Sequence, residues 1–187
     1  MSGLMGLRSR PMQNEAPEGN SDRIVIRIAL PKDSSGIAFV HVATWQQTYR
    51  GILPNAYLDK LRPAQRESMW AQILTENKNS VHVACEGDEV IGFASAGTSR
   101  DDPSVGEIYA IYVHPERWNS GVGWRLFRTS CSEMRARNFE RMMLWVATEN
   151  SRARAFYERE GMVSDGNIKN QSIGGCTLEE MRYRLDL

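Results

Sequence analysis

The run GEIYAIYVHPERWNSGVGWRLF, residues 106–127, changes its hydrophobic period midway, and that change restricts the architecture more than any other feature of the chain. The first half alternates over strand length and stops at Pro115. The second half carries Val122, Leu126 and Phe127 at helical spacing, continued by Cys131 and Met134. Between the halves lie Gly121 and Gly123. A strand that passes through a glycine loop into a helix belongs to a layered sheet-and-helix protein. Bare Cα atoms at the helix start let an anion approach backbone N–H groups that a Cβ would shield, and the helix points its positive end at that anion. Two nucleotide-binding fingerprints fail here: position 126 is Leu where a dinucleotide loop needs Gly, and 123–125 reads Gly-Trp-Arg where a phosphate loop ends in Gly-Lys-Ser/Thr.

The flanking sequence builds a mixed α/β order around this unit. RIVIRIAL (23–30) puts Ile24, Ile26 and Ile28 on one face of a first strand. A helix follows Asp33, with apolar residues at Ile37, Val40 and Ala43 or Thr44. After Leu53-Pro54 come a short helix and a longer one that Pro63 starts. Two β-rich runs meet at Glu86-Gly87-Asp88, RMMLWVAT is a strand, and NSRARAFYEREG is a helix closed by Gly161. MVSDGNIKN and CTLEEMRYRLDL form a final hairpin. The predicted order is therefore β, helices, βββ, α, β, α, ββ. Residues 1–22 mix Gly, Pro, Ser and charge with little periodic apolar content and read as a disordered tail, which leaves 23–187 as one domain.

Composition narrows the function classes. Formal net charge is zero, so no overall field attracts nucleic acid, and any anion must be bound locally. No apolar run approaches the roughly 20 residues of a membrane span and no secretory leader is visible, so no membrane partner and a cytoplasmic location are expected. Cys85, Cys131 and Cys176 are odd in number and widely spaced, and His41, His82 and His114 stand apart, so neither a disulfide framework nor a metal site is expected. A homodimer built on a sheet edge or the final hairpin is compatible with the sequence and is not decided by it.

Two linked motifs carry a resemblance. Tyr112-Val113-His114-Pro115 leads into Trp118-Asn119-Ser120-Gly121-Val122-Gly123, and Asn150, Ala153, Phe156, Tyr157, Gly161 and Met162 follow at N-x-x-A-x-x-F-Y spacing. The whole resembles the GNAT superfamily of acyl-CoA-dependent N-acyltransferases over residues 23–187, most closely over 105–162. Trp118 stands where the family usually has Gln or Arg, and Met162 where it usually has Phe. The stretch TWQQTYRGILPNAYLDKL also looks like a GNAT subgroup with a Trp and a Tyr before a Gly-Ile/Leu-Ile/Leu-Pro turn.

The resemblance implies a mixed, mostly antiparallel sheet of about seven strands with about four helices, splayed between the fourth and fifth strands. It implies acetyl-CoA as cofactor, with backbone groups of Ile111, Tyr112 and Val113 pairing with the pantetheine arm as an added strand. N–H groups over Asn119, Ser120, Gly121, Val122, Gly123 and Trp124 would hold the pyrophosphate, with Trp118 covering part of it and Asn150 and Tyr157 also at the cofactor. Arg117, Arg125 and Arg152 are equal candidates for the outer phosphate. Acetylating an amine requires a base for the ammonium, donors for the oxyanion and an acid for the departing thiolate. By family position Glu107 is the base and Tyr157 the acid; a solvent-facing strand-end carboxylate and a structurally bonded tyrosine are the competing readings. Alternation puts Glu107, Tyr109, Ile111 and Val113 on one face unless a bulge intervenes. Trp45 and Tyr49, and with them Tyr57, are candidates for the wall of a small-molecule or peptide amine site, with core packing the alternative. Trp70, Trp145 and Phe156 are assigned to packing. The expected activity is acetyl transfer to a primary amine by direct attack in a ternary complex. The alternative is a non-catalytic acyl-CoA sensor that regulates a partner, which needs neither Glu107 nor Tyr157.

Overall fold

The computed structural model describes residues 24–187, and the tail expected at residues 1–22 lies outside them. The strands are β1 (Ile24–Ile28), β2 (Ser80–Glu86), β3 (Glu89–Thr98), β4 (Gly106–Val113), β5 (Arg141–Ala147), β6 (Val163–Ile173) and β7 (Cys176–Asp186). The helices are α1 (Ser34–Thr48), the single turn α2 (Asn55–Leu58), α3 (Pro63–Glu76), α4 (Val122–Ala136) and α5 (Ser151–Arg159). The order matches the one read from periodicity. All seven strands form one sheet in the order β1-β2-β3-β4-β5-β7-β6. Every neighbouring pair is antiparallel except β4 and β5. Among the described residues no helix is long and apolar enough to cross a membrane.

Burial follows sheet position. Central β3 has nearly all of its residues buried because helices cover both of its faces, whereas edge strand β6 keeps most of its residues exposed. Ile28 departs from the expected inward face of β1: it is 53% exposed, because the strand ends there at the rim of the sheet. Helix α1 buries Ile37, Ala38, Val40, His41, Val42 and Thr44, more than one stripe, since it lies between the sheet and α3. Helix α4 buries the predicted Val122, Leu126, Phe127, Cys131 and Met134. It shares a core on the opposite face with Phe156 and Tyr157 of α5.

His41 sits inside the α1–α3 layer, where its Nδ1 accepts from Trp70 Nε1 at 3.1 Å and its buried Nε2 has no partner among the described residues. Burial pushes its pKa down to about 4. The unfolded chain therefore binds a proton below pH 6.5 that the native state refuses, so stability falls as pH drops from 6.5 towards 4, by about 3 kcal/mol over the whole window. Urea unfolding at pH 7, 5.5 and 4.5 is expected to show this slope, and His41→Gln to flatten it. An equal slope in the variant would assign the acid sensitivity elsewhere.

Two departures from regular pairing prepare the site. Strands β4 and β5 pair only over Gly106↔Met142, Glu107↔Met143 and Ile108↔Leu144, while β5 stays paired with β7 to Ala147. Beyond Ile108 the two parallel strands diverge. The register against β3 also jumps, from Ser95↔Ala110 to Ala96↔Ile108, which makes Tyr109 a bulge residue. The bulge corrects the alternation expected along β4. Ile108 and Ile111 join the core beneath α4, as does Val113, while Ala110 and Tyr112 face α1 and α3. Glu107, one residue from Ile108 and before the bulge, therefore lies on the face opposite Ile111 and Val113.

Candidate active site

The divergence opens a cleft of about 710 Å³ walled by β4 from Ile108 to Val113, by Leu144 to Val146 of β5, by the end of α1 and by α5. Its floor is backbone. His114 N–H donates to Ile91 O, so in an antiparallel ladder Tyr112 is a bonded partner of Phe93, and the peptide groups of Ile111 and Val113 turn the other way, into the gap. The Val113 carbonyl accepts from Thr44 Oγ1 at 3.1 Å and from Trp118 Nε1 at 2.8 Å. Trp118 is thereby fixed across one end of the cleft, and the Arg152 guanidinium lies over its ring, 3.4 Å from the centroid.

The mouth of the cleft is the glycine loop. Asn119 and Gly121 both have left-handed backbone, φ +61° and +83°, the conformation that turns successive N–H groups into a concave nest. No side chain caps the start of α4. A Cβ on Gly121 would meet nothing within 4 Å, and one on Gly123 would reach only ordinary contact with Val113 and Phe156, so neither glycine is required by packing against the rest of the protein. An uncapped 15-residue helix behind a bare, nest-shaped loop suits a diphosphate. Val122 itself is packed in the core and Ser120 Oγ donates to the Arg117 carbonyl, so the loop offers backbone rather than side chains.

The three arginine candidates separate. Arg117 lines the cleft but is engaged with Glu86 at 2.5 Å, and Arg125 is not part of the lining. Arg152 lines the cleft with no carboxylate partner among the described residues, and burial alone pushes its pKa down. Of the three it is the one placed to meet an incoming anion, although Arg159 also lines the cleft. Asn150 caps α5 by accepting from Ala153 N at 3.1 Å and also lines the cleft.

Tyr157 reaches the cleft from α5, 9% exposed. Burial pushes its pKa up, which keeps its proton on at neutral pH, and its hydroxyl has no hydrogen-bond partner among the described residues. Glu107 is buried at the closed end of the splay, outside the cleft lining. One oxygen accepts from the Arg100 guanidinium at 2.6 Å and the other from Arg100 N at 3.1 Å. On the α1 side Tyr49 and Tyr112 approach closely enough to alter one another's ionisation, and both are held protonated by burial. Trp45 packs at a tilt between His41 and Tyr49 behind this wall, and Tyr57 lies against Gly174 of the β6–β7 turn. Trp145, assigned to packing from sequence, lines the cleft together with Thr44, Gln47 and Thr48. Its place in β5, alternating with Met143 and Ala147, was visible, but the divergence that exposes it was not.

The profile of the acetyltransferase (GNAT) family matches residues 42–162. The chain is similar to the N-acetyltransferase YuaI of Bacillus subtilis, 32% identical over 163 residues that cover 84% of this chain and 90% of that one. Among solved structures it is similar to a GCN5-related N-acetyltransferase from Rhodopseudomonas palustris, with a TM-score of 0.71 at 22% identity over 87% of this chain and 95% of the other. It is also similar to an acetyltransferase from Salmonella typhimurium solved with its cofactor acetyl-CoA, with a TM-score of 0.63 at 19% identity over 88% and 94%.

Proposed function

The chain belongs to the acetyltransferase (GNAT) family, and from that premise we propose that it transfers the acetyl group of acetyl-CoA to a primary amine by direct attack in a ternary complex. The observation that carries this reading is the Tyr157 hydroxyl, without a hydrogen-bond partner among the described residues, inside a splay that ends at the start of α4. Acetyl-CoA supplies an activated thioester. The N–H groups of Val122, Gly123 and Trp124 would hold its diphosphate, Arg152 would neutralise phosphate charge, and the gap-facing groups of Ile111 would orient the pantetheine arm, since the Val113 carbonyl already accepts from Thr44 and Trp118. The Val113 N–H meets the negative charge that develops on the carbonyl oxygen. Tyr157 gives its proton to the sulfur as the carbon–sulfur bond breaks. Glu107 is the proposed base by its position in the family motif; because it lies buried outside the cleft lining, it would take the ammonium proton through a bridging water rather than directly. No cysteine lines the cleft, in keeping with direct attack.

Two results test this reading. Thiol release should require the amine and equal the acetylated amine formed. An acetylated protein species that accumulates before amine is added would oppose direct attack. Glu107→Gln is expected to lower kcat about tenfold to hundredfold while leaving acetyl-CoA binding in place, and an unaltered kcat would exclude Glu107 as the base.

A charge-neutral acceptor wall: A further inference from the structure

The charges that line the cleft are not evenly distributed. Arg117, Arg152, Arg159 and Glu160 all stand on the loop before α4 or on α5, the side of the phosphate cradle. The opposite wall, made by α1, β4 and β5, presents Thr44, Gln47, Thr48, Tyr49, Tyr112 and Trp145, with no ionised side chain among the described residues. The nearby carboxylates on that face are already matched: Glu107 by Arg100, and Glu180 by Lys169 at 3.4 Å and Gln171 at 2.7 Å. Lys169 Nζ lies 4.3 Å from the centre of the Trp145 ring, so one face of that indole already carries a cation.

Resting on the transfer reading above, we infer that the acceptor is a primary monoamine on an uncharged apolar or aromatic body, and that polycationic amines are rejected. The reacting amine must lose its proton in any case, so a neutral wall costs it little. A second or third ammonium group of a polyamine or an aminocyclitol would leave water against this wall with no countercharge, which is the expensive arrangement for an ion. The aromatic faces of Tyr49, Tyr112 and Trp145 instead match a planar or apolar body; the arriving ammonium is attracted to the two tyrosines before it is deprotonated, whereas Trp145, with Lys169 and Arg182 at 4.3 and 5.6 Å from its ring centre, offers apolar contact only. Discrimination here is therefore by missing carboxylates as much as by apolar contact.

The test uses the full chain saturated with CoA, titrated calorimetrically with 2-phenylethylamine and with spermidine, beside thiol release from acetyl-CoA with each amine. The expected result is a kcat/KM at least about a hundredfold higher for 2-phenylethylamine, with the same order in binding. Gln47→Glu, nearly isosteric and at an exposed position, should narrow that gap at least about tenfold in favour of spermidine by adding the absent countercharge. Spermidine binding or turnover equal to or above that of 2-phenylethylamine overturns the inference, and so does failure of 2-phenylethylamine to bind the CoA-loaded protein. The CoA titration that precedes each run separates the two levels: CoA binding with the wrong amine order sinks only this inference, while absence of CoA binding sinks the transfer reading as well.

Discussion

Tyr157→Phe is expected to lower kcat for acetyl transfer by about a hundredfold to a thousandfold while leaving the Kd for acetyl-CoA within about twofold. The substitution removes one oxygen and keeps the ring, and the ring is what packs against Phe127, Phe156 and Tyr183. The hydroxyl makes no hydrogen bond to the described residues, so its loss leaves no protein donor or acceptor orphaned and costs little stability. What disappears is the proton that the proposed mechanism delivers to the departing sulfur. Measuring kcat with single-turnover kinetics and Kd by calorimetry separates the effects. A variant with unchanged kcat would assign the hydroxyl no part in the reaction, and one that loses binding instead would make Tyr157 a cofactor contact only.

Gly121→Val is expected to weaken acetyl-CoA binding by at least about a hundredfold. Two effects act together. A β-branched residue held at φ +83° is strained by about 1–2 kcal/mol, which disfavours the loop shape that aims the N–H groups. The new side chain also adds bulk to the loop proposed to receive the diphosphate, at a position where no protein atom lies within 4 Å. Gly121→Ala adds a single methyl and should show a smaller loss in the same direction. Because the position contacts no core residue, thermal unfolding should fall by only a few degrees, about the amount that 1–2 kcal/mol produces in a domain of this size. Binding that survives Gly121→Val would move the diphosphate away from this loop.

Much of this arrangement was legible in the chain, for reasons that differ by residue. The order of elements followed from period, because strands of five to eleven residues and, the four-residue α2 apart, helices of nine to fifteen leave distinct spacings. Gly121 was legible because a glycine before a helix run has few structural reasons to exist beyond a turn or a close approach. Tyr157 was legible through its linked spacing to Asn150 and Phe156. What sequence did not reveal depends on partners distant in the chain. The Tyr109 bulge is defined only by register against β3, and it reverses the face on which Glu107 lies relative to Ile111. Arg117 and Arg152 look alike until Glu86, thirty-one residues before Arg117, engages one of them. Trp145 occupies a strand position that would be ordinary packing if β4 and β5 stayed paired, and it becomes a site residue because they part after Leu144.

The most direct test of the account is amine-dependent thiol release from acetyl-CoA by the full chain, run beside a calorimetric titration with acetyl-CoA on wild type and Tyr157→Phe. The account predicts binding by both proteins, amine-dependent release by wild type, and release lowered about a hundredfold or more in the variant. Binding without release for every amine, or equal release by the two proteins, would contradict it.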